Sequence, residues 1–432
     1  MMNIELISEE LMKPSHPTPS HLRYLKPSLF DQVNIPILMP LIFFFSNKQT
    51  PTPSTILTRL KNSLSATLSI FYPLAGRVQF DSSHITCNDE GVPYLQAHLP
   101  YTSLSQVVHN ADVSLLDKLL PSSDDTQGYT KLVLVIQVNT FACGGIAIGI
   151  KINHVVSDGF SFAMFVKTWA EMASGGAEPP YLRPRFEIWR EFPPHGPIVS
   201  GELDPDLLGS KPVTKWFMFS KPMCDALKAR LYLDGKNNQP SVTMAISAFI
   251  YSRIKLLRTS GVNNIPNEVY HAVNIRPKVI IPPGCDYYFG NMVVNAIVNP
   301  NDNHLEATRE SIKEIIGKSR LIDNMRNGKE DLRFMMDHFE RESRGEITSL
   351  GFSSFRGLPV YEADFGWGKP VWVTSATLVF KDMVLIIAGD PSRQDTYVYV
   401  NLSPDEMSRL EADPEFNSFV SKSATFVNTS KL

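Results

Sequence analysis

The stretch IAIGIKINHVVSDGFSFAMFVKTWAEM, residues 146–172, changes from one hydrophobic pattern to another within a few residues. Its first part, Ile146–Ile152, is rich in isoleucine and is typical of a buried strand. After Asp158 the apolar side chains recur every three or four residues, which predicts a helix with Asp158 as its N-cap. His154 therefore lies in a loop between a strand and a helix, a position where catalytic groups are common.

Strands and helices alternate on both sides of this stretch. Thr55–Phe71 has the leucine spacing of an amphipathic helix, with Ser54 as its predicted N-cap, and Leu132–Val138 is a second β-rich run. Ile35–Phe45 is apolar but contains two prolines and is too short to cross a bilayer, so we expect buried extended chain. Later helices are predicted near Pro222–Leu233, Thr243–Leu257 and Leu305–Met325, and later strands at Glu268–Asn274, Met292–Val298, Val371–Phe380, Met383–Ile387 and Thr396–Leu402. Both halves are thus mixed α and β.

The length and the prolines predict two domains. A chain of 432 residues is too long for one ordinary core, and a composition of 43% hydrophobic and 20% charged residues excludes a disordered chain. Eight prolines lie between positions 179 and 212, where they prevent a long helix or a central strand. We therefore predict domains at residues 1–178 and 213–432, joined by a crossover at 179–212.

Charge and cysteine usage narrow the class of partner. The chain has 41 Lys and Arg against 44 Asp and Glu, so it has no overall positive field for nucleic acid or anionic membranes. The cysteines are scattered without a C-x-x-C pair, which predicts neither a zinc knot nor a disulfide framework; they are Cys87, Cys143, Cys224 and Cys285. The N-terminal segment lacks the basic flank and apolar core of a secretion signal, so we expect a cytoplasmic protein. No heptad pattern indicates self-association, and a monomer is expected.

His154 is the candidate catalytic residue, because a neutral imidazole accepts a proton near physiological pH. The residues alone leave a simpler alternative open, in which His154 only packs and Asp158 only caps a helix. No H-E-x-x-H helix or second nearby histidine is present, so no metal site is predicted. A serine hydrolase is disfavoured as well, since no G-x-S-x-G run is followed by an acidic residue and a histidine.

A second motif, Asp364-Phe-Gly-Trp-Gly-Lys-Pro370, is typical of a tight turn. Its first three residues also occur in protein kinases, but the chain has neither the kinase glycine-rich loop nor the H-R-D loop. The kinase interpretation is therefore rejected.

Together, His154-x-x-x-Asp158-Gly159 and Asp364-Phe-Gly-Trp-Gly368 resemble the signatures of the plant BAHD acyltransferases, which transfer acyl groups from coenzyme A thioesters. The resemblance covers nearly the whole chain and also includes Asp31-Gln32, Tyr72–Arg77, Asn274–Pro277 and Gly290-Asn291. The run DFGWGKPVWV looks most like the branch of the family that acetylates alkaloids.

The resemblance implies an α/β fold of two similar domains, each like a chloramphenicol acetyltransferase unit, with a channel at their interface. It implies that His154 is the general base and that Asp158 pairs with Arg276 instead of with the histidine ring. It also implies structural support from Asp364, Gly366, Trp367 and Gly368, and coenzyme contacts from Ser241 and Thr374. From the residues alone, Ser241 equally well caps a helix with Thr243, and Met244 stands where the family often has an acidic residue.

The function implied by the resemblance is transfer of an acyl group, acetyl by default, from acyl-CoA to a hydroxyl of a plant specialised metabolite such as an alkaloid. Acyl-CoA is then a co-substrate, and no permanently bound cofactor is expected. Transfer to nitrogen or transfer of malonyl groups within the family stays open. So does a non-catalytic ligand-binding homologue, although the intact His154 argues against it. Condensation domains of peptide synthetases share the histidine loop, but they usually have a second histidine where this chain has Asn153.

Overall fold

The structure is a computed structural model that describes residues 3–34, 36–46, 52–79, 84–109, 111–122, 131–175, 183–194, 212–232, 239–259, 265–279, 287–298, 304–317, 325–326 and 332–421. Much of the predicted crossover, and Cys285, lie outside these residues.

The strands occur along the whole described chain. They are β1 (Glu5–Met12), β2 (Tyr24–Leu25), β3 (Leu38–Phe45), β4 (Arg77–Gln79), β5 (His84–Thr86), β6 (Val92–Leu99), β7 (Leu134–Phe141), β8 (Ile146–Asn153), β9 (Pro184–Arg185), β10 (Val213–Phe219), β11 (Asn267–Asn274), β12 (Tyr287–Tyr288), β13 (Val293–Val298), β14 (Thr348–Ser354), β15 (Trp372–Thr374), β16 (Met383–Ala388) and β17 (Thr396–Leu402).

Helices alternate with these strands. They are α1 (Leu29–Gln32), α2 (Pro53–Ile70), α3 (Leu104–His109), α4 (Val113–Asp117), α5 (Gly159–Ser174), α6 (Ile188–Glu191), α7 (Lys221–Tyr232), α8 (Val242–Thr259), α9 (His304–Gly317), α10 (Arg333–Ser343), α11 (Pro404–Ala412) and α12 (Pro414–Phe419).

Two six-stranded sheets organise the molecule. The first has the order β1-β6-β7-β8-β3-β15, and the second has the order β10-β17-β16-β14-β11-β13. Both combine parallel and antiparallel pairs, with β6 parallel to β7 in the first and β14 parallel to β11 and β16 in the second. This confirms the mixed α/β class with two sheet-rich units. The domain boundaries themselves stay a prediction.

One strand of the first sheet comes from the far end of the chain. Trp372, Val373 and Thr374 of β15 pair antiparallel with Phe44, Phe43 and Ile42 of β3. The same core contains Trp216, Tyr397 and Tyr399 from the second half of the sequence. The second half therefore completes the first sheet, which a division of the chain at residues 179–212 does not predict.

The proline within β3 has a local explanation. Pro40 pairs with Lys151 of β8 on one side, but on the other side β15 reaches only as far as Ile42. Proline has no N–H to donate, so it is tolerated where a strand has a neighbour on one side only. The prediction of buried extended chain over Ile35–Phe45 is confirmed for Leu41–Phe45, which are buried in β3, whereas residues 37–40 are half-buried.

Two sequence predictions need correction, and a third falls partly on residues outside the described chain. Helix α2 is capped by Thr52, whose hydroxyl accepts from the backbone N–H of Thr55, and not by Ser54, because Pro53 occupies the first helical position. The strand predicted over Val371–Phe380 is limited to β15. Helix α9 is described over His304–Gly317, and residues 318–324 of the helix predicted over Leu305–Met325 lie outside the described chain.

Candidate active site

The candidate base lies at the end of β8, where the first sheet meets helix α5. The backbone N–H of His154 donates to the carbonyl of Ile37 at 2.8 Å, which continues the pairing of β8 with the chain before β3. Four residues later, Asp158 caps α5 by accepting from the N–H of Ser161 at 2.9 Å. The strand end and the helix cap fix both ends of the loop, and the His154 side chain is half-buried between them.

Asp158 uses its second carboxylate oxygen on the other half of the molecule. Its Oδ2 accepts from Arg276 Nη1 at 2.6 Å and from the backbone N–H of Met292 at 3.0 Å. The Asp158 and Arg276 side chains are only 2% and 8% exposed, so the pair is buried. The structure thus brings Asp158 and Arg276 together as the sequence predicted, with the carboxylate directed to the guanidinium.

The guanidinium of Arg276 also binds the segment before β13. Its Nη2 donates to the carbonyl of Gly290 at 2.7 Å and to Ser161 Oγ at 3.0 Å. Gly290 has a φ of 137°, which strongly favours glycine, and its N–H donates to Ser161 Oγ at 3.0 Å. These bonds join the first turn of α5 to the second sheet.

Asn291 and Asp31 complete the same network, although sequence reasoning gave neither a role. The Asn291 amide nitrogen donates to the His154 carbonyl at 2.7 Å and to Asp31 Oδ1 at 2.9 Å. The other Asp31 oxygen accepts from the N–H and the hydroxyl of Ser28, both at 2.7 Å, in the capping box of α1. The only sequence signal for this part of the network was that Asp31-Gln32 and Gly290-Asn291 belong to the segments that carry the family resemblance.

The electrostatic setting keeps the imidazole neutral. Burial lowers the pKa of His154, and its own backbone carbonyl, the Asp158 carboxylate and the Asn291 side chain oppose that change only in part. Burial likewise raises the pKa of Asp31, against the hydrogen bonds that it accepts from Ser28 and Asn291. A neutral histidine at the mouth of a loop is chemically able to accept a proton.

The DFGWG motif forms a turn at the other end of α5. Asp364 Oδ1 accepts from the N–H groups of Gly366 at 2.8 Å and Gly368 at 2.9 Å, and both glycines have positive φ, at 95° and 112°. Phe365 is fully buried, with its ring 5.0 Å from that of Trp169 and 5.6 Å from that of Phe45. The motif therefore attaches β15 to the first core.

Helix α5 sets the distance between the two signatures. Its 16 residues span about 24 Å at 1.5 Å per residue, with His154 before its first turn. A Cβ added to Gly366 would lie 3.1 Å from the Cα of Ser174, the last residue of the helix. Asp364, Gly366, Trp367 and Gly368 thus lie far from the candidate base, as expected for structural support.

The two predicted coenzyme residues occupy different settings. Ser241 is exposed, and its hydroxyl accepts from the N–H of Met244 at 3.2 Å as the cap of α8. Thr374 is fully buried in β15, with its hydroxyl paired to that of Tyr399. The structure does not bring these side chains to His154 by any described contact, and their coenzyme roles stay predictions.

Two cavities lie on other parts of the surface. One cavity lies along α2, beside Thr58, Arg59 and Asn62, and the other lies beside the Asp364 turn. His154 lines neither of these two cavities. The channel at the interface of the two domains stays a prediction. Within the described ranges, no group of three or more potential ligand side chains is arranged to hold a metal ion. Among those same residues, no helix is both long and apolar enough to cross a bilayer.

Several known proteins are similar to this chain in sequence, and solved structures share its architecture. A family model described as the transferase family matches residues 2–417. The chain is 31% identical to akuammiline synthase 2 of Alstonia scholaris, with 98% of each chain covered. It is also 31% identical to stemmadenine O-acetyltransferase of Catharanthus roseus, with 95% of this chain and 96% of the relative covered.

Solved structures of other proteins have the same fold as this chain. The crystal structure of vinorine synthase matches with a TM-score of 0.83 and 29% identity, covering 98% of this chain and 100% of that one. The F. graminearum protein TRI101, solved with coenzyme A and T-2 mycotoxin, has the same fold at a TM-score of 0.69 and 17% identity, with 92% and 99% covered. With its histidine loop, its DFGWG turn and its full-length relatives, the chain belongs to the BAHD transferase family and is an acyl-CoA acyltransferase.

Proposed function

We propose that this enzyme transfers an acyl group, acetyl by default, from a coenzyme A thioester to a hydroxyl of a plant specialised metabolite, with an alkaloid as the first class to test. Two observations support the donor and the acceptor. Stemmadenine O-acetyltransferase and vinorine synthase, from Catharanthus roseus and Rauvolfia serpentina, are each 31% identical to it. TRI101 of the same fold was solved with coenzyme A.

The arrangement of His154 and Asp158 carries the proposed mechanism. Asp158 is committed to Arg276 and to the N-terminus of α5, so its carboxylate does not hold a proton on the imidazole. Burial lowers the His154 pKa, and the ring is therefore ready to take a proton at neutral pH.

In the proposed reaction, His154 removes the proton of the acceptor hydroxyl while that oxygen attacks the thioester carbonyl. Collapse of the tetrahedral intermediate breaks the carbon–sulfur bond, and the imidazolium returns the proton to the departing thiolate. The products are an ester and free coenzyme A, and no acyl-enzyme is formed. Positioned proton transfer accounts for roughly 10²- to 10⁴-fold, and orientation and oxyanion stabilisation supply the remainder.

Ser241 and Thr374 belong to the proposal as coenzyme contacts. Ser241 supports it because a helix N-terminus with a hydroxyl favours anionic groups such as the coenzyme phosphates. For Thr374, a substrate would have to compete with Tyr399 for the hydroxyl. The proposal also includes a cytoplasmic location, a monomeric state and no permanently bound cofactor.

The decisive experiment incubates the purified full chain with acetyl-CoA, malonyl-CoA and a panel of hydroxylated indole alkaloids and benzyl alcohol. Mass spectrometry reports which acceptor gains mass and by how much. A gain of one acetyl group on an alkaloid is the expected result. A malonyl mass, or an acyl group on nitrogen, would replace the corresponding part of the proposal.

His154→Ala tests the base in the same assay. We expect turnover to fall by about 10²- to 10⁴-fold, since positioned proton transfer is lost. His98→Ala is the matched control, because His98 is also half-buried in the first sheet but bonds only to Thr140. Near-normal turnover by the His154 variant would reject its role as the base.

A further inference from the structure

We infer that Asn291 is a positioning residue, which fixes the ring orientation and the tautomer of His154, and that Asp31 holds Asn291 in the orientation required. The inference rests on the proposed function of His154 as a base and extends it to the group behind that base. It joins the two halves of the chain, because His154 follows β8 of the first sheet and Asn291 precedes β13 of the second.

The first step concerns the orientation of the Asn291 amide. Two acceptors face its nitrogen, the His154 carbonyl at 2.7 Å and Asp31 Oδ1 at 2.9 Å. The Asn291 backbone N–H also donates to Asp31 Oδ1, at 3.1 Å. An amide oxygen cannot occupy a place opposite two acceptors, so the nitrogen must lie there and Oδ1 must lie on the other side. Asn291 is fully buried, which prevents water from competing for these bonds.

The second step concerns two buried atoms without partners. Among the described residues, neither Asn291 Oδ1 nor His154 Nδ1 has a hydrogen-bond partner of normal geometry. One is an acceptor, and the other is a donor when it carries the ring proton. A buried polar atom left unpaired costs about 1–3 kcal/mol. The two side chains belong to one network, and the Asn291 side chain is among the groups that favour a proton on the ring.

The third step is the chemical consequence. A proton on Nδ1 would allow this atom and Asn291 Oδ1, both unpaired in the structure, to bond to each other, and Nε2 would then keep its lone pair for the substrate. The opposite tautomer would place a proton on Nε2 and remove the base. In the serine protease triad, the wrong histidine tautomer lowers kcat by about 10⁴-fold. Here Asp158 is committed to Arg276, and Asn291 supplies the neutral equivalent of that orienting group.

Nitrogen NMR of the intact protein tests the tautomer without any substrate. The chain is labelled with ¹⁵N-histidine and measured at about pH 8, where the lowered pKa of His154 leaves its ring neutral. The resonances lost in His154→Ala identify this ring among the ten histidines. We expect a protonated Nδ1 and an unprotonated Nε2 in the wild type, and a mixed or reversed pattern in Asn291→Ala. A protonated Nε2 in the wild type, or an unchanged pattern in the variant, would overturn the inference.

Kinetics supply the second readout. Asn291→Ala should lower kcat by about 10²-fold while the KM for acetyl-CoA changes by less than about threefold, because only the base is misoriented. Asn139→Ala is the matched control. Asn139 is also fully buried and donates to backbone carbonyls, those of Leu119, Ala147 and Gln137, but it lies far along β7 from the His154 loop. If both variants lose turnover only in proportion to their unfolded fraction, Asn291 is merely structural.

A second variant covers the case in which Asn291→Ala fails to fold. Asp31→Asn preserves the side-chain volume but weakens the acceptor that orients Asn291, so we expect the same change of tautomer to a smaller extent. An unchanged NMR pattern in this variant rejects the role of Asp31. The two proposals fail separately: if the wild type acylates nothing in the acceptor panel, the proposed function falls, and the NMR pattern still decides the role of Asn291.

Discussion

Among the described residues no carboxylate bonds to the ring of His154, so this half-buried histidine responds to pH differently from an exposed one. For His154, desolvation is the largest influence and it lowers the pKa below the ordinary 6.5, while Asp158 and Asn291 restore only part of that difference. Asp158 contributes its charge at a distance, since its oxygens bond to Arg276, Met292 and Ser161. His154, which is proposed to accept the proton, and Asp158, which carries the nearby negative charge, thus have separate roles.

This separation predicts the acidic limb of the pH–rate profile. The neutral imidazole is the active form of a base, so kcat/KM should fall as the pH drops through the His154 pKa of the free enzyme. Because that pKa is lowered, the midpoint of the limb should lie below 6.5. Initial rates with acetyl-CoA between about pH 5 and 8 measure it. A midpoint above 6.5 would mean that negative charge near the ring outweighs its burial.

At the scale of elements, α5 links the two signatures and is fixed at both ends. Its first turn is capped by Asp158, whose carboxylate also holds Arg276, and its last residue lies against the glycine of the DFGWG turn. The cap is formed by residues that are neighbours in the sequence. The ion pair depends on Arg276, which follows β11 of the second sheet.

Asp158→Ala should therefore destabilise the fold more than the loss of an ordinary helix cap does. Removal of one partner leaves the buried Arg276 charge unpaired, which costs about 3–5 kcal/mol, whereas a cap alone contributes about 1 kcal/mol. Asp112→Ala is the control, because Asp112 caps α4 through Leu115 and lies on the surface. Urea unfolding of both variants gives the two losses. Equal losses would show that the Arg276 pair contributes nothing.

Phe365→Ala tests the structural role of the DFGWG turn. The ring is fully buried between Trp169 and Phe45, so its truncation should lower the free energy of unfolding by about 3–5 kcal/mol. Turnover per folded molecule should stay near the wild-type value, because the turn lies at the far end of α5. Phe339→Ala, at a ring that is 37% exposed, provides the comparison. Loss of the chemical step in stable Phe365→Ala protein would place the motif in the active site.

Local pattern was enough to predict the candidate base, the longer helices α2, α5, α7, α8 and α9, and several strands, but it gave no prediction for β1, β6, β10 and β14 of the two large sheets. The isoleucine run of β8 and the helical spacing after Asp158 are short-range signals, and they placed His154 correctly in a loop between strand and helix. The pairing of Asp158 with Arg276 came from family resemblance, since no local pattern connects residues so far apart in sequence. Asn291 received no role because its function depends on two acceptors from distant parts of the chain. A strand was predicted at this place, but the pairing of β15 with β3 of the first sheet was missed for the same reason.

At the scale of the whole molecule, the two sheets are not independent units. β15 completes the first sheet, Trp216 and Tyr399 of the second half lie in the first core, and the Arg276 network joins both sides of the candidate site. Large shared cores favour a single cooperative transition.

We therefore expect one unfolding transition despite the length of the chain. Tryptophan fluorescence and far-ultraviolet circular dichroism should give coincident midpoints in urea, because the core of the first sheet includes Trp216, Tyr397 and Tyr399 of the second. Two separated transitions would show instead that the first sheet is stable without β15.

The position of β15 also has a consequence during synthesis on the ribosome. The strand that it covers, β3, carries the buried run Leu-Ile-Phe-Phe-Phe at positions 41–45, and β15 is translated only near the end of the chain. At a translation rate of about 5–20 residues per second, that apolar edge waits for tens of seconds without its final neighbour. An uncovered edge of this kind pairs readily with other chains, so we expect the nascent protein to be most prone to aggregation before its last quarter emerges.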